Sequence, residues 1–239
     1  MKRFYFMDIR KLHLMILLPI LVATINIANA QTKVGIKAGM NFLNVMMNDE
    51  NGNKIKTQSV PGILLGLTVN IPVTGDFYIQ PGVQYSRKGY KQETGGFYGS
   101  STNFKVSASY IEVPINLLFK PRLGAGNLLL GAGPYIGYGL GGNWKSDNDA
   151  ANGDMIVGKK GDVIFKNNAM DGGDLNSYLY GKPLDCGLNF LAGYEFLSKL
   201  SVQLGAQLGL ANLQPHIDGT ERKGKLKNSG FGITLGYKF

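Results

Sequence analysis

The sequence predicts an all-β protein, an eight-stranded antiparallel up-and-down transmembrane β-barrel. Three observations predict it. Apolar residues alternate with polar or small residues in eight segments, which is the period of a strand with two unlike faces. The connections between these segments alternate between long and short. The chain also ends on a strand-like stretch, NSGFGITLGYKF, where a frayed polar tail would be usual.

Before these segments, residues 1–30 have the features of a cleaved secretory signal peptide. MKRFYFMDIRKLHL is basic, LMILLPILVATINIA is apolar, and the ANA at residues 28–30 has the small-x-small form that signal peptidase accepts. The alternative is a membrane anchor helix, which the short apolar run with Pro19 and Asn26 disfavours. The mature domain is therefore expected to be residues 31–239, an outer-membrane β-barrel domain.

The first four segments alternate strictly. The first two alternate Val, Ile and Leu with Gly, Lys and Asn, the third sets Gln and Gly between aromatic and aliphatic residues, and the fourth sets Glu112 and Asn116 between isoleucines and valine. These features predict strands at KVGIKAGMNF (33–42), GILLGLTVNIPV (62–73), FYIQPGVQYSR (77–87) and SYIEVPINLLFK (109–120).

The last four segments carry more glycine on the polar face. The fifth alternates Leu, Ile and Tyr with Gly, the sixth and seventh add Asp, Asn, Glu and Gln to that face, and the eighth ends on Phe239. Glycine-rich alternating strands suit a tightly curved sheet. The predicted strands are LLLGAGPYIGYGL (128–140), LDCGLNFLAGYEF (184–196), LSVQLGAQLGL (200–210) and NSGFGITLGYKF (228–239).

Connection lengths predict how the strands are arranged. Short connections cover residues 74–76, 121–127 and 197–199, and long ones cover residues 43–61, 89–108, 141–183 and 211–227. This alternation puts the short turns and both termini at one end of the sheet and the long loops at the other, as in outer-membrane barrels. Hydrocarbon cannot hydrogen-bond an exposed strand edge, so the last strand is expected to pair with the first.

A soluble lipocalin-like ligand-binding barrel would also alternate. Two features favour lipid on the outside, and hence location in the cell outer membrane. The polar face mixes glycine with Gln, Asn, Glu and Lys, which suits a narrow interior. The apolar face carries aromatic residues near strand ends, as an interfacial girdle would. These residues are Phe77, Tyr85, Phe119, Tyr138, Tyr194, Phe196, Tyr237 and Phe239.

The inward positions predict a polar cluster inside the barrel. Buried carboxylates must be paired or hydrogen-bonded, so the cluster is expected to fill the interior without leaving a diffusive pore; an ion or proton path is the alternative. The cluster consists of Lys37, Gln80, Gln84, Glu112, Asn116, Asp185, Asn189, Glu195, Gln203 and Gln207.

Catalytic, metal and cofactor sites have little support. A lipid-modifying enzyme would need His216, the one His of the mature chain, beside a Ser and an acid, and no spacing ties it to Ser229 or another Ser. The loop stretches 146–154 and 170–176 are rich in Asp and Asn but lack a full EF-hand spacing. The single Cys186 forms no disulfide or zinc motif. No catalytic residue, metal or cofactor is therefore expected.

The long third loop, residues 141–183, contains MIVGKKGDVIFK. This stretch, at residues 155–166, predicts an extra hairpin with GKKG as its turn, which would project outward or fold across the barrel mouth. Lys159 and Lys160 here, and ERKGKLK at residues 221–227, make the loop tips basic. These basic loop tips could bind lipopolysaccharide phosphates or increase solubility. Nucleic acid is not expected as a partner of a secreted barrel.

Several stretches together resemble one family. KVGIKAGMNF, QPGVQYSRKG, YIEVPINLLFK, GAGPYIGY and the closing FGITLGYKF look like the PorT-like outer-membrane β-barrel family of Bacteroidota, over residues 31–239. The seventh strand departs from the family, whose members often carry an Arg-Tyr pair there. The resemblance implies a structural or accessory envelope component without pore or enzyme activity, with envelope protein partners, and one branch of the family takes part in protein secretion. The terminal aromatics Tyr237 and Phe239 resemble the signal by which the barrel-assembly machinery recognises its substrates.

Overall fold

A computed structural model describes residues 32–197 and 199–239. The predicted signal peptide, residues 1–30, lies outside the described residues. Within the described part of the chain, no helix has the length and apolar character needed to cross a membrane.

The described chain folds almost entirely into strands, with two short 3-10 turns at Phe97–Gly99 and Ala169–Asp171. In order, the strands are β1 (Lys33–Asn48), β2 (Lys54–Ile55), β3 (Gln58–Thr74), β4 (Phe77–Gln92), β5 (Phe104–Phe119), β6 (Arg122–Leu123), β7 (Gly126–Asn152), β8 (Met155–Phe165), β9 (Tyr178–Gly181), β10 (Leu184–Phe196), β11 (Leu200–Gly209) and β12 (Lys225–Lys238).

Eight of these strands close into a barrel, in the order β1, β3, β4, β5, β7, β10, β11, β12 and back to β1. All eight contacts are antiparallel. The closing contact runs from Gly35 opposite Lys238 to Asn48 opposite Lys225. The predicted fold class is confirmed, and the C-terminal strand is held on both edges because it completes the ring.

Side chains alternate as predicted, with the apolar face outward. On β11, for example, Leu204 is 62% exposed, whereas Ser201 on the other face is buried. The barrel interior is so narrow that some inward positions have room only for glycine. A Cβ on Gly133 would come 1.9 Å from the carbonyl oxygen of Ile115 on the neighbouring strand, so a larger residue would push these strands apart.

The predicted long loops are wrong in extent, because much of their sequence continues the strands. β1 runs to Asn48, β4 to Gln92 and β7 to Asn152, and β5 begins at Phe104. The barrel wall therefore extends beyond the apolar belt at the end with long connections. Alternation continues there with reversed polarity, which is why these residues did not match the strand pattern of the lower wall.

The predicted hairpin with a GKKG turn is also wrong. Residues 155–165 form one strand, β8, which pairs with the upper half of β7 around a turn at Gly153, where φ is +62°. Glycine adopts positive φ without strain, so the chain reverses there and not at GKKG. β9 then pairs with β8 in parallel. Tyr180 of β9 is buried among inward-facing aromatic residues, so the returning part of the long loop packs into the barrel mouth.

Candidate functional site: the barrel interior

The middle of the barrel contains a fully buried ionic cluster. The ammonium of Lys88 lies 2.6 Å from Oε1 of Glu112 and 2.9 Å from Oδ2 of Asp185, and all three side chains have no exposed surface. The same ammonium lies 4.8 Å from the ring centres of Tyr110 and Tyr135. Buried charges at this density are stable only when paired and hydrogen-bonded, and here each partner is supplied by a different strand.

Neutral side chains add hydrogen bonds to both carboxylates, although Oδ1 of Asp185 has no partner among the described residues. Gln84 donates to Oε2 of Glu112 at 2.5 Å, and Gln207 donates to the same carboxylate at 3.3 Å. Asn228 donates to Oδ2 of Asp185 at 2.9 Å. Side chains from several strands therefore meet in one cluster, which links these strands across the closed ring.

Register explains how one lysine reaches two acids. Glu112 on β5 and Asp185 on β10 both lie opposite Gly137 on β7. A Cβ on Gly137 would already lie 3.3 Å from Cγ of Glu112. The glycine between the acids thus leaves space for the side chains of Glu112 and Tyr110, beside which the Lys88 ammonium lies.

A second ionic cluster lies near the end with short turns. Lys120 contacts Oε1 of Glu195 at 3.1 Å, and Lys238 pairs with the other oxygen of the same carboxylate. The Lys120 ammonium also lies 4.6 Å from the centre of the Tyr78 ring. All three charged residues are buried. This cluster links the ends of β5, β10 and β12 across the barrel.

Between the two clusters is a small cavity of about 90 Å³, lined by both polar and apolar side chains. Asn41, Gln84 and Asn116 each place a buried oxygen there that has no hydrogen-bond partner among the described residues. A volume of this size accommodates a few water molecules, which polar walls with free acceptors would hold. The cavity is therefore suited to bound water and is too small for a solute of the size that porins pass.

Above the Lys88 cluster, an aromatic core fills the barrel. Phe97, Phe104 and Trp144 lie within 6.1 Å of one another by ring centres, and Tyr178 packs edge-on against Phe104 at 4.9 Å. Trp144 donates to the carbonyl oxygen of Asn176 at 2.7 Å, which ties the long loop to this core. This aromatic core closes the mouth of the barrel with apolar surface.

All ten residues of the predicted polar cluster point inward, but they form separate groups. Gln84, Glu112, Asp185, Asn189 and Gln207 belong to the hydrogen-bonded network around Lys88. Glu195 belongs to the cluster at the short-turn end. Gln80 donates to Asn70 at 3.0 Å, and Lys37, Asn116 and Gln203 line the cavity.

Sequence reasoning missed the central residue of the network, Lys88. It ended the strand at Arg87, although the inward period of Gln84 and Ser86 continues to Lys88. Continuing the period by one step would have found it. Tyr180 was missed for another reason. Tyr180 donates to Asn228 at 2.6 Å, but its strand, β9, lies within a stretch predicted as loop.

The remaining candidate residues lie away from the interior network. His216 sits in the loop before β12, where its backbone pairs with Asn167 and Ala169, and its Nδ1 has no partner among the described residues. No group of three or more metal-ligating side chains was found within residues 32–197 and 199–239. Tyr237 and Phe239 point outward at the end of β12, with ring centres 5.3 Å apart.

The family assignment follows from a sequence match that spans most of this barrel. The family model described as outer membrane protein beta-barrel domain matches residues 29–214. The chain belongs to that family. A closed barrel with an apolar outer belt, in a member of this family, lies in the cell outer membrane. The alternative of a soluble ligand-binding barrel is therefore wrong.

Solved structures of other outer-membrane proteins resemble the chain only distantly. OprG from Pseudomonas aeruginosa is 14% identical with a TM-score of 0.48, covering 88% of this chain and 97% of that one. Ail, the attachment invasion locus protein of Yersinia pestis, is 13% identical with a TM-score of 0.41, covering 87% and 98%. A major outer membrane protein from Thermus thermophilus is 11% identical with a TM-score of 0.42, covering 87% and 100%. No curated protein matches the chain.

Proposed function

We propose that this protein is a closed structural or accessory component of the outer membrane, without an intrinsic pore or enzyme activity. The observation that carries the proposal is the blocked interior. Two buried ionic clusters and an aromatic core fill the barrel, and the cavity between the ionic clusters is about 90 Å³. Eight strands leave an interior just wide enough for side chains, so no continuous water path is expected.

Conductance in planar bilayers tests the closed interior. Pure protein is expected to give no steady open-channel current, and liposomes that contain it are expected not to swell in small sugars. A large general porin in the same bilayers provides the positive control. Steady, large, open-channel currents from the pure protein would overturn the proposal.

The competing function is a lipid-modifying enzyme of the outer membrane. It would require His216 to activate a nucleophile, and the described hydrogen bonds of His216 are made by its backbone. His216→Ala is therefore expected to leave the lipid composition of cells that express the protein unchanged. Lipid modification by the wild type that His216→Ala abolishes would establish the enzyme in its place.

The proposed partners follow from location and from the ends of the barrel. They are outer-membrane lipid with lipopolysaccharide, the barrel-assembly machinery through Tyr237 and Phe239, and envelope proteins at the extended mouth. Deleting Phe239 removes the last aromatic side chain, which is 69% exposed. The truncated protein is expected to accumulate unassembled in the periplasm, whereas Phe239→Tyr should assemble normally.

The PorT-like resemblance extends the proposal to a role in protein secretion. It rests on QPGVQYSRKG and YIEVPINLLFK, and these residues form inner and outer faces of β4 and β5. Deletion of the gene in its host is then expected to reduce the amount of secreted protein. An unchanged set of secreted proteins would remove the secretion role and leave the closed barrel intact.

A further inference from the structure

A row of lysines crosses four neighbouring strands on the outer wall of the barrel, above the apolar belt. The register places Lys91 of β4 opposite Lys105 of β5, and Lys105 opposite Lys145 of β7. Lys145 in turn lies opposite Lys160 of β8. Their side chains point outward, because the neighbouring positions on each of the first three strands hold buried aromatic residues. Adjacent strands are about 4.8 Å apart, so the row presents four positive charges side by side.

This lysine row does not help the protein to fold. Like charges directly opposite on neighbouring strands are destabilising, and three such pairs follow one another here. None of the four lysines takes part in an ion pair among the described residues. Charge needed only for solubility would be interspersed with acids. The row is therefore more consistent with binding an anion.

Nearby acids do not neutralise the row. Glu93 accepts a hydrogen bond from Gln58 at 2.6 Å, and Asp147 accepts one from Asn103 at 2.5 Å. Asp162 points outward from β8, opposite Asn143. None of the three acids forms an ion pair with a lysine of the row among the described residues, and the four lysines outnumber the three acids.

A groove joins this row to the apolar belt. It has a volume of about 300 Å³, and its polar side includes Lys105, Lys145 and Arg87. Arg87 donates to Asn143 at 2.6 Å, which holds its guanidinium over the groove. The apolar side includes Met40 and Ile63, which are 48% and 49% exposed. One groove therefore offers apolar surface and cationic groups to the same molecule.

The height of the positive charges above the apolar belt indicates what size of lipid headgroup the groove would bind. Tyr85 and Ile63 are among the last outward apolar residues of their strands, and Arg87 and Lys91 lie two and six positions beyond Tyr85. In tilted strands these positions are about 5 Å and about 15 Å above the belt. The headgroup layer of a phospholipid leaflet is only about 5–8 Å thick. The cations therefore extend over the height of a larger headgroup that carries phosphate on sugars.

We propose that this groove and the lysine row bind a phosphorylated glycolipid of the outer leaflet, of the lipopolysaccharide type. Acyl chains lie against Met40 and Ile63, and the phosphates are bound by Arg87 and the lysines above it. The site rests on the proposed contact with lipopolysaccharide, and it moves that contact from the loop tips to the side wall of the barrel.

The test measures lipid retained by the protein in phosphatidylcholine nanodiscs, by native mass spectrometry. The variant Lys91→Gln, Lys105→Gln, Lys145→Gln removes three charges from the row. The matched control, Lys54→Gln, Lys223→Gln, Lys225→Gln, removes three exposed charges from β2, from the start of β12 and from the loop before it. Three probes are compared, namely intact lipopolysaccharide, its dephosphorylated form, and its deacylated form, which keeps the phosphates.

The wild type and the control variant are expected to retain intact lipopolysaccharide at least about tenfold better than either modified form, and the row variant is expected to lose at least about tenfold of that retention. In phosphatidylcholine alone, the row variant should melt at the same temperature as the wild type or higher, because like-charge repulsion is relieved.

Four results would contradict the proposed lipid-binding site. They are wild-type retention by the row variant, equal losses in both variants, equal retention of the deacylated form, and a lower melting temperature of the row variant in phosphatidylcholine. Loss in the control variant alone would place the contact at the loop tips and leave the proposed function standing. The conductance of the barrel is independent of each of these outcomes.

Discussion

Replacing Lys88 with Met should destabilise the barrel strongly. The change keeps the length of the side chain but removes the charge that lies 2.6 Å from Glu112 and 2.9 Å from Asp185. Both carboxylates then remain buried, with only neutral donors such as Gln84 and Asn228. Removing one partner of a buried ion pair typically costs about 3–5 kcal/mol, and we expect a loss in that range.

The reason for the loss is unpaired charge, and this can be separated from loss of packing. In the triple variant Lys88→Met, Glu112→Gln, Asp185→Asn the whole cluster is neutral, and its amides can still accept the hydrogen bonds from Gln84 and Asn228. Neutral replacements of a buried cluster are often tolerated, so the triple variant should recover to within about 1–2 kcal/mol of the wild type. Lys54→Met, at an exposed position, should change stability by less than about 0.5 kcal/mol.

Urea unfolding in phosphatidylcholine vesicles measures these differences. Trp144 is the single tryptophan and is buried in the aromatic core above the cluster, so its fluorescence reports loss of the barrel interior. Band shift on unheated gels gives an independent measure of the folded fraction. If Lys88→Met cost less than about 1 kcal/mol, or if the triple variant were no more stable than Lys88→Met alone, unpaired buried charge would not be the cause of the loss.

Two further predictions concern the lipid-facing wall and the loops. Leu204→Arg should cost about 2–4 kcal/mol in the same vesicles if the site lies near the midplane, and Leu204→Ala should cost less; equal costs would contradict lipid contact. At the mouth, hydrogen bonding by Arg222 lowers the pKa of Glu50 below its usual value. Its contribution is therefore present above that usual pKa and lost as pH falls through the lowered value. The protection of the Lys223 and Gly224 amides from hydrogen exchange, measured relative to the intrinsic rate at each pH, should therefore fall at low pH. Glu50→Gln should show weaker protection of these amides already at pH 7. Unchanged protection in the variant would refute the proposed contact between Glu50 and residues 222–224.

Much of the barrel could be predicted from the sequence because lipid imposes a simple rule on each strand. Where the outer face meets hydrocarbon, every second residue must be apolar, and Ile111, Val113 and Ile115 on β5 follow that rule. The inward direction of Glu112 and Asn116 follows from the same period. The partners of those residues could not be predicted, because Lys88 reaches Glu112 across a diagonal that depends on the stagger of the strands.

The same argument explains why the wall above the belt was predicted as loop. On β5 the outward residues change from Ile111 to Ser109 and Lys105, while the inward residues change from Glu112 to Tyr110 and Phe104. Period two continues, but the polarity of the two faces is exchanged, since water replaces lipid outside and an apolar core becomes favourable inside. A search for one apolar face therefore ends each strand at the point of exchange.

That exchange of polarity also locates the membrane boundary on the protein. Arg87 on β4 and Asn143 on β7 are the first strongly polar outward residues beyond Tyr85 and Leu140, and they contact each other across β5 at 2.6 Å. The aromatic core lies behind this part of the wall, and the lysine row lies outside it. The upper barrel thus folds as a water-soluble sheet would. Because the aromatic core stabilises it from the inside, its outer surface can hold unpaired positive charges. A sheet without that core could hardly tolerate three successive pairs of like charges.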